Sequence, residues 1–383
     1  MSLLAGHRSE PALRMGQKLL QINWVLVLLL SLLCGTGLLM LYSAGGGRAD
    51  PWATRQAVRF AVCLAMLLAV ALVDIRFWYR MAYSIYGTAL MLLAAVEVAG
   101  SIGMGAQRWI DFRFFQLQPS EVMKIALVLA LARYFHTLAP EDTGKPSRLI
   151  APLFLVLVPV ALVLKQPDLG TAGMLLAAGG AVFFCAGVRY WMFGVVLALA
   201  GAAVPLAWDF LHDYQKARIL TFLDPESDPL NSGYHILQSK IALGSGGIWG
   251  QGFMQGTQSH LSFLPEKQTD FIFTMLAEEF GLVGALGLLV LYTLVLAYGF
   301  AIAFSARSQF ARLLVLGVTV NLFLYVFINI AMVTGLIPVV GVPLPLISYG
   351  GTAMLAIMVS YGLAISAYVH RDVKIARRGL SED

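Results

Sequence analysis

Carboxylates and cations standing beside long apolar runs are the residues of this chain whose types and spacing can do chemistry. The densest such stretch is Phe263-Leu-Pro-Glu266-Lys-Gln-Thr-Asp270-Phe-Ile-Phe-Thr274-Met-Leu-Ala-Glu278-Glu279-Phe-Gly-Leu-Val-Gly284, which begins polar and runs into an apolar segment. A helix starting near Thr269 places Asp270, Thr274 and Glu278 on one face, with Glu278 ~12 Å deeper at about 1.5 Å per residue. Acids at the mouth of a membrane helix are costly against lipid, so they face a cavity, a partner charge or a substrate. A carboxylate so placed suits a general base that takes a proton from a hydroxyl. Asp270 as the N-cap of its helix is the bland alternative, and the two roles are compatible.

Further charge sits in Gly103-Met-Gly-Ala-Gln-Arg108-Trp109-Ile-Asp111-Phe-Arg113 and in Gln118-Pro119-Ser120-Glu121-Val-Met-Lys124. Pro119 suits a first helical turn, where its missing N–H does no harm. Lys124 opposes the positive pole of that helix, which implies an anionic partner: Glu121 at i−3, or a ligand phosphate. Arg108 and Arg113 are either headgroup anchors, with Trp109 an interface residue, or part of a diphosphate or sugar site. In Lys165-Gln-Pro167-Asp168-Leu-Gly170 the aspartate reads first as a helix cap. From Ile337 to Gly351 the run of prolines and glycines precludes a regular helix while carrying no charge. Uncharged irregular backbone at membrane depth is tolerated where it is buried or lines a cavity, which puts Ser348 and Tyr349 beside a site.

These stretches need a membrane scaffold. With 383 residues, 59% hydrophobic and 12% charged, the chain is too apolar for a soluble protein. Apolar runs of helical length without period-2 alternation argue against a β-barrel and indicate an all-α polytopic protein. Spans are expected near 22–42, 56–73, 79–99, 119–136, 149–165, 169–187, 190–208, 270–303, 311–334 and 347–369. The first is a retained helix and not a signal peptide. One single transmembrane domain, 1–383, follows, with an N-tail (1–21) and a C-tail (371–383) on the same side. Lys and Arg favour that side, including Arg371, Lys374, Arg377 and Arg378, so both termini are expected in the cytoplasm.

The segment 209–269 is far longer than the other loops, and long loops are usually functional. It holds a turn-rich Leu223-Asp-Pro-Glu-Ser-Asp-Pro-Leu230 and then Gly233-Tyr-His-Ile-Leu-Gln238-Ser239-Lys240-Ile-Ala-Leu-Gly-Ser-Gly-Gly247. The latter reads as a short amphipathic helix on the outer membrane surface, its apolar face supplied by Ile236, Leu237, Ile241 and Leu243.

Other chemistries fail. Cys34, Cys63 and Cys185 lie in apolar runs and read as buried small hydrophobes. His7, His136, His212, His235, His260 and His370 show no metal spacing, and neither a phosphate-binding Gly-Lys-Ser/Thr loop nor a Gly-x-Ser-x-Gly elbow occurs. The net charge of +5 is dispersed through the loops and gives no nucleic-acid surface.

Taken together and in order, Gly-Ala-Gln-Arg108-Trp109-Ile-Asp, Gln-Pro-Ser-Glu121-x-x-Lys124, Lys-Gln-Pro-Asp168-Leu-Gly-Thr, Leu-Asp-Pro-Glu-Ser-Asp-Pro-Leu, Gly-Tyr-His-Ile-x-Gln-Ser-Lys240, Phe-Leu-Pro-Glu266-x-x-Thr-Asp270-Phe-Ile-Phe and Pro-Leu-Pro-Leu-Ile-Ser348-Tyr-Gly-Gly resemble the SEDS family of shape, elongation, division and sporulation proteins. The Leu-Asp-Pro-Glu-Ser-Asp-Pro order is closer to its elongation member than to its division relative.

The resemblance implies about ten transmembrane helices, a large extracytoplasmic loop between the seventh and eighth, and peptidoglycan glycosyltransferase activity on lipid II. It implies an inner-membrane location, a growing lipid-linked glycan strand as product, and as partners a class B penicillin-binding transpeptidase and other elongation-complex membrane proteins. Asp270 is the expected general base. Arg108 and Lys124 are expected at the departing diphosphate, with Glu121 orienting Lys124; Trp109, Asp168, Gln238, Ser239, Lys240, Glu266 and Ser348 complete the substrate-binding set. No cofactor is certain; an acidic outer face beside a diphosphate leaves room for Mg²⁺ or Mn²⁺, but no ligand set is legible. A lipid II flippase and a non-catalytic scaffold of the elongation machinery are the alternatives. A flippase needs a charged path through the membrane, and the half below Glu278 is nearly free of charge; a scaffold tolerates Asp270→Asn.

Overall fold

A computed structural model describes residues 15–103, 106–111, 116–139, 141–210, 213–224, 232–261 and 266–375. Arg113, His7, His212, the centre of the Leu223–Leu230 turn, Phe263 to Pro265, most of the N-tail and Arg377 and Arg378 lie outside them.

The chain is helical almost throughout: α1 (Met15–Gln21), α2 (Trp24–Ala44), α3 (Trp52–Leu72), α4 (Ile75–Ala99), α5 (Pro119–Thr137), α6 (Pro146–Lys165), α7 (Leu169–Ala186), α8 (Tyr190–Phe210), α9 (Asp213–Leu223), α10 (Ser232–Ser245), α11 (Thr257–His260), α12 (Ile272–Ser305), α13 (Gln309–Val333) and α14 (Gly351–Val369). Every expected span holds a helix. Among the described residues, 8 helices are long and apolar enough to cross a membrane by length and composition. α5 carries Glu121, Lys124 and Arg133 and falls outside those eight, yet it is buried along most of its length. A helix buried all round belongs at the centre of a bundle. α5 packs against α4, α7 and α13, and α14 packs against α3.

Local chemistry sets the helix starts. Asn23 accepts from the Leu26 amide (3.1 Å) and Ser308 from the Ala311 amide (3.1 Å), each satisfying an orphan N–H. Pro119 and Pro146 open α5 and α6.

Between α4 and α5 the chain forms a small antiparallel sheet, β1 (Ser101–Gly103), β2 (Ala106–Asp111) and β3 (Gln116–Leu117), in the order β1-β2-β3. Arg108 and Trp109 stand on its central strand, with Trp109 opposite Ser101.

Two expectations need correction in the stretch after Glu266. α12 starts at Ile272, so Asp270 precedes the helix, and its N-cap position falls on Phe271 with no side-chain capping bond. Asp270 is therefore not the cap of α12. Nor is α12 continuous: Gly281 (φ 65°, ψ −162°) breaks it. Its 34 residues would span about 51 Å as one helix, well beyond a hydrocarbon core of ~30 Å. The break frees backbone groups that the long loop meets edge-on. Gln251 and Gly252 donate to the carbonyls of Glu278 (3.0 Å) and Glu279 (3.0 Å), while Leu282 and Val283 donate to Gly247 (2.9 Å) and Ile248 (3.2 Å). Glycine is required here, since a Cβ on Gly281 would lie 2.3 Å from the Gly250 nitrogen.

The amphipathic helix expected in the long loop is α10, but its buried face differs. Ile236 is 3% exposed and Ile241 50% exposed. Gly233, Ile236, Ser239 and Ala242 face inward at three-residue spacing. The apolar residues alone misplaced this face because the fully buried Ser239 anchors it: its Oγ donates to the Val333 carbonyl (2.7 Å) and accepts from Thr274 Oγ1 (2.8 Å).

Candidate active site

Asp270 ends a run of turns that three other elements hold in place. Within the turn, Glu266 (φ 53°) accepts at its carbonyl from the Thr269 amide (3.0 Å), and its carboxylate accepts from Thr269 Oγ1 (2.9 Å) and Gln268 Nε2 (3.3 Å). The irregular segment 337–350 closes on the turn from one side. Ser348 Oγ donates to the Thr269 carbonyl (2.6 Å) and accepts from the Leu344 amide (2.8 Å), while the Tyr349 amide donates to Gln268 (2.8 Å). From α13, the buried Asn329 divides its amide between the Asp270 carbonyl (2.9 Å) and the Val342 carbonyl (2.7 Å). From α3, Gln56 donates to the Ser348 carbonyl (3.0 Å). The peptide of Asp270 is thus fixed while its side chain stays partly exposed. Its Oδ2 faces Gly341 (φ +71°), where an added Cβ would sit 3.5 Å away.

The irregular segment behaves as irregular backbone at membrane depth must. Ile347, Leu344 and Ser348 are buried, and Tyr292 and Asn329 donate to the carbonyls of Pro345 and Val342. Gly37 of α2 lets it approach closely, since a Cβ there would be 2.7 Å from the Ile347 Cα.

The expected cations both have protein partners. Lys124, 1% exposed, contacts Glu121 Oε1 (2.7 Å) and the Tyr325 hydroxyl, which in turn donates to Glu121 Oε2. Its ammonium also lies 4.1 Å from the Tyr325 ring centroid. Of the two partners open to Lys124, the structure supplies Glu121. Arg108 reaches from β2 to the α6–α7 turn, donating to the Pro167 carbonyl (2.7 Å) and Gln166 carbonyl (3.4 Å), with Asp168 Oδ2 at 3.6 Å. Asp168 caps α7, accepting from the Thr171 amide (3.1 Å) and hydroxyl (2.9 Å).

Glu278 and Glu279 do not open into a cavity. Glu278, fully buried, accepts from the amides of Gln258 (2.7 Å) and Ser259 (3.1 Å) and from Ser259 Oγ (2.5 Å), which fastens α11 to α12. Glu279 accepts from Ser43 Oγ and lies 3.2 Å from His260 Nε2. Lys267, beside the Asp270 turn, donates to the Ser259 carbonyl (2.8 Å), and burial holds its pKa below the usual lysine value.

Ser348, Glu266 and Asp270 are thus brought together directly. Ser239 and Lys240 stand on α10 behind them, with Lys240 against Gly335, and Gln238 is partly buried on the same helix. Arg108 and Asp168 form one cluster and Glu121 and Lys124 another, while Trp109 follows Arg108 on β2 opposite Ser101. Asn329 and Gln56 were missed as positioning groups. Among the described residues, no group of three or more His, Cys, Asp or Glu could hold a metal ion.

A bundle whose described residues include 8 helices long and apolar enough to cross a membrane defines a polytopic membrane protein, with the Asp270 turn before α12 as its candidate site. Residues 19–373 match the Cell cycle protein family that groups FtsW, RodA and SpoVE, and the chain belongs to that family. It is similar to the peptidoglycan glycosyltransferase MrdB of Escherichia coli (strain K12), with 45% identity over 350 residues, 91% of this chain and 93% of that protein. A chain from a structure described as the structural coordination of polymerization and crosslinking by a peptidoglycan synthase complex superposes with a TM-score of 0.80 at 34% identity, covering 91% of this chain and 98% of that one. The Thermus thermophilus rod shape determining protein RodA superposes with a TM-score of 0.70 at 29% identity, covering 92% and 98%.

Proposed function

We propose that this chain polymerises lipid II by inverting transfer, with Asp270 as general base. The enzyme class rests on its relatives: the chain is a peptidoglycan glycosyltransferase of the elongation type. The observation that carries the assignment of Asp270 is its mounting, a partly exposed carboxylate on a peptide held by Asn329 and flanked by Ser348 and Glu266. Such fixation suits a group that must meet a hydroxyl at hydrogen-bond distance.

In the reaction, Asp270 takes the proton of the 4-hydroxyl of the acceptor's glucosamine. That oxygen bonds to the anomeric carbon of the donor's muramyl unit, the bond to the diphosphate breaks, and polyprenyl diphosphate leaves. A single displacement inverts the anomeric centre. Arg108, whose side chain is 29% exposed, adds positive field at the mouth. Lys124 acts through its contacts with Glu121 and Tyr325 and does not touch the substrate. Gln238 and Lys240 border the lipid entrance on α10, which the buried Ser239 anchors to Val333 and Thr274, and Trp109 and Asp168 shape the wall beside Arg108.

The site is assigned to the outer face of the inner membrane, with both termini cytoplasmic. The synthase complex of the similar structure, which couples polymerization to crosslinking, supports a class B transpeptidase partner for this chain. The test is glycan polymerisation from purified lipid II by the chain with its cognate transpeptidase. Loss of polymer in Asp270→Asn with lipid II binding intact supports the assignment; full activity removes Asp270 from the mechanism.

A further inference from the structure

Transfer from a diphosphate needs positive charge where the leaving group departs, and the two cations expected there are engaged by protein. Lys124 is sealed against Glu121 and Tyr325, and Arg108 is tied to the α6–α7 turn. A different cation stands beside the Asp270 turn. Arg59 lies two turns into α3, about 11 Å from Trp52 along the helix at 1.5 Å per residue. Its guanidinium lies over the ring of Tyr349, 4.7 Å from the centroid, and the Tyr349 amide is bonded to Gln268, two residues from Asp270. Among the described residues, no acceptor or carboxylate pairs with the Arg59 guanidinium.

The start of α14 makes this corner more electropositive still. Arg59 Nε is 3.2 Å from where a Cβ on Gly351 would lie, at the start of the 19-residue α14, and the N-cap Gly350 offers no side chain to that helix. A cation at a helix N-terminus faces the positive pole and is unfavourable without an anion between them. Gln56, one turn earlier on α3 and 1% exposed, donates to Ser348 and leaves its Oε1 without a partner. A charged side chain within an apolar span without a counter-ion marks a functional position.

We propose that Arg59 receives the diphosphate of the lipid-linked donor, with the amide end of α14 behind it. This rests on the glycosyltransferase reading above. The Arg59 guanidinium donates to the diphosphate oxygens as the bond to the anomeric carbon breaks. Tyr349 keeps the guanidinium flat against the wall, and Gly351 leaves room for it.

The experiment uses the purified chain with its transpeptidase partner and two probes, farnesyl diphosphate and farnesyl monophosphate. Each is measured for direct binding and for inhibition of lipid II polymerisation. In Arg59→Gln the affinity for farnesyl diphosphate is expected to fall about tenfold, the value of a lost charge-assisted hydrogen bond, with a smaller change for the monophosphate. Arg59→Lys should stay within about threefold of wild type, and so should Tyr349→Leu, which keeps the charge and removes the ring. Unchanged diphosphate affinity in Arg59→Gln overturns the proposal. So does a Tyr349→Leu loss as large as that of Arg59→Gln, which would make the stack structural. If the wild-type complex makes no polymer, the glycosyltransferase reading fails, while the binding series still decides whether Arg59 is an anion site.

Discussion

Asp270 and Glu278 lie eight residues apart in one stretch and have opposite fates. Glu278 is fully buried and accepts from two amides and a hydroxyl, so its charge is consumed in holding α11. Asp270 is partly exposed, and bonds to its backbone carbonyl and to its neighbours Thr269 and Gln268 fix its peptide. In one case the carboxylate is wholly enclosed by donors of α11; in the other the peptide is fixed and the residue stays partly exposed, its Oδ2 beside Gly341. That contrast separates an acid that builds the fold from the acid proposed as general base.

The largest expected effect is on Asp270. Asp270→Asn should lower polymerisation by about 10² or more while leaving the melting temperature near wild type, read by polymer yield and thermal unfolding together. Asn329→Leu comes next, because it orphans the buried Val342 carbonyl at about 1–3 kcal/mol and frees the part-buried Asp270 peptide; both activity and melting temperature should fall. Tyr325→Phe removes the hydroxyl shared by Lys124 and Glu121 and should cost about 1–2 kcal/mol in chemical unfolding. The smallest effects distinguish the faces of α10. Ile236→Ser should destabilise by about 1–3 kcal/mol, whereas Ile241→Ser, half exposed, should change stability by less than about 0.5 kcal/mol. Equal effects of the two would mean that α10 buries a different face.

The helices were legible because membrane spans need long apolar runs, and their order in the chain follows from little else. The irregular segment 337–350 was legible for a similar reason, since proline and glycine forbid a helix whatever surrounds them. The break in α12 was not, because a single Gly281 inside an apolar run is ordinary in a membrane helix; only its pairing with 247–252 makes it a break. The sheet that carries Arg108 is too short for a period-2 signal. Glu278 reads from sequence as a cavity acid because its partners, the amides of Gln258 and Ser259, leave no trace in residue type. Asn329 and Arg59 do carry a signal, a polar group inside an apolar span, but neither stands in a motif.

The most direct test of the contrast is one paired experiment on Asp270→Asn and Glu278→Gln, measuring lipid II polymerisation and melting temperature on the same purified complexes. The account predicts a crossed result: Asp270→Asn inactive and stable, Glu278→Gln destabilised, with activity lost only in proportion to unfolding. A stable, inactive Glu278→Gln beside an active Asp270→Asn would contradict it.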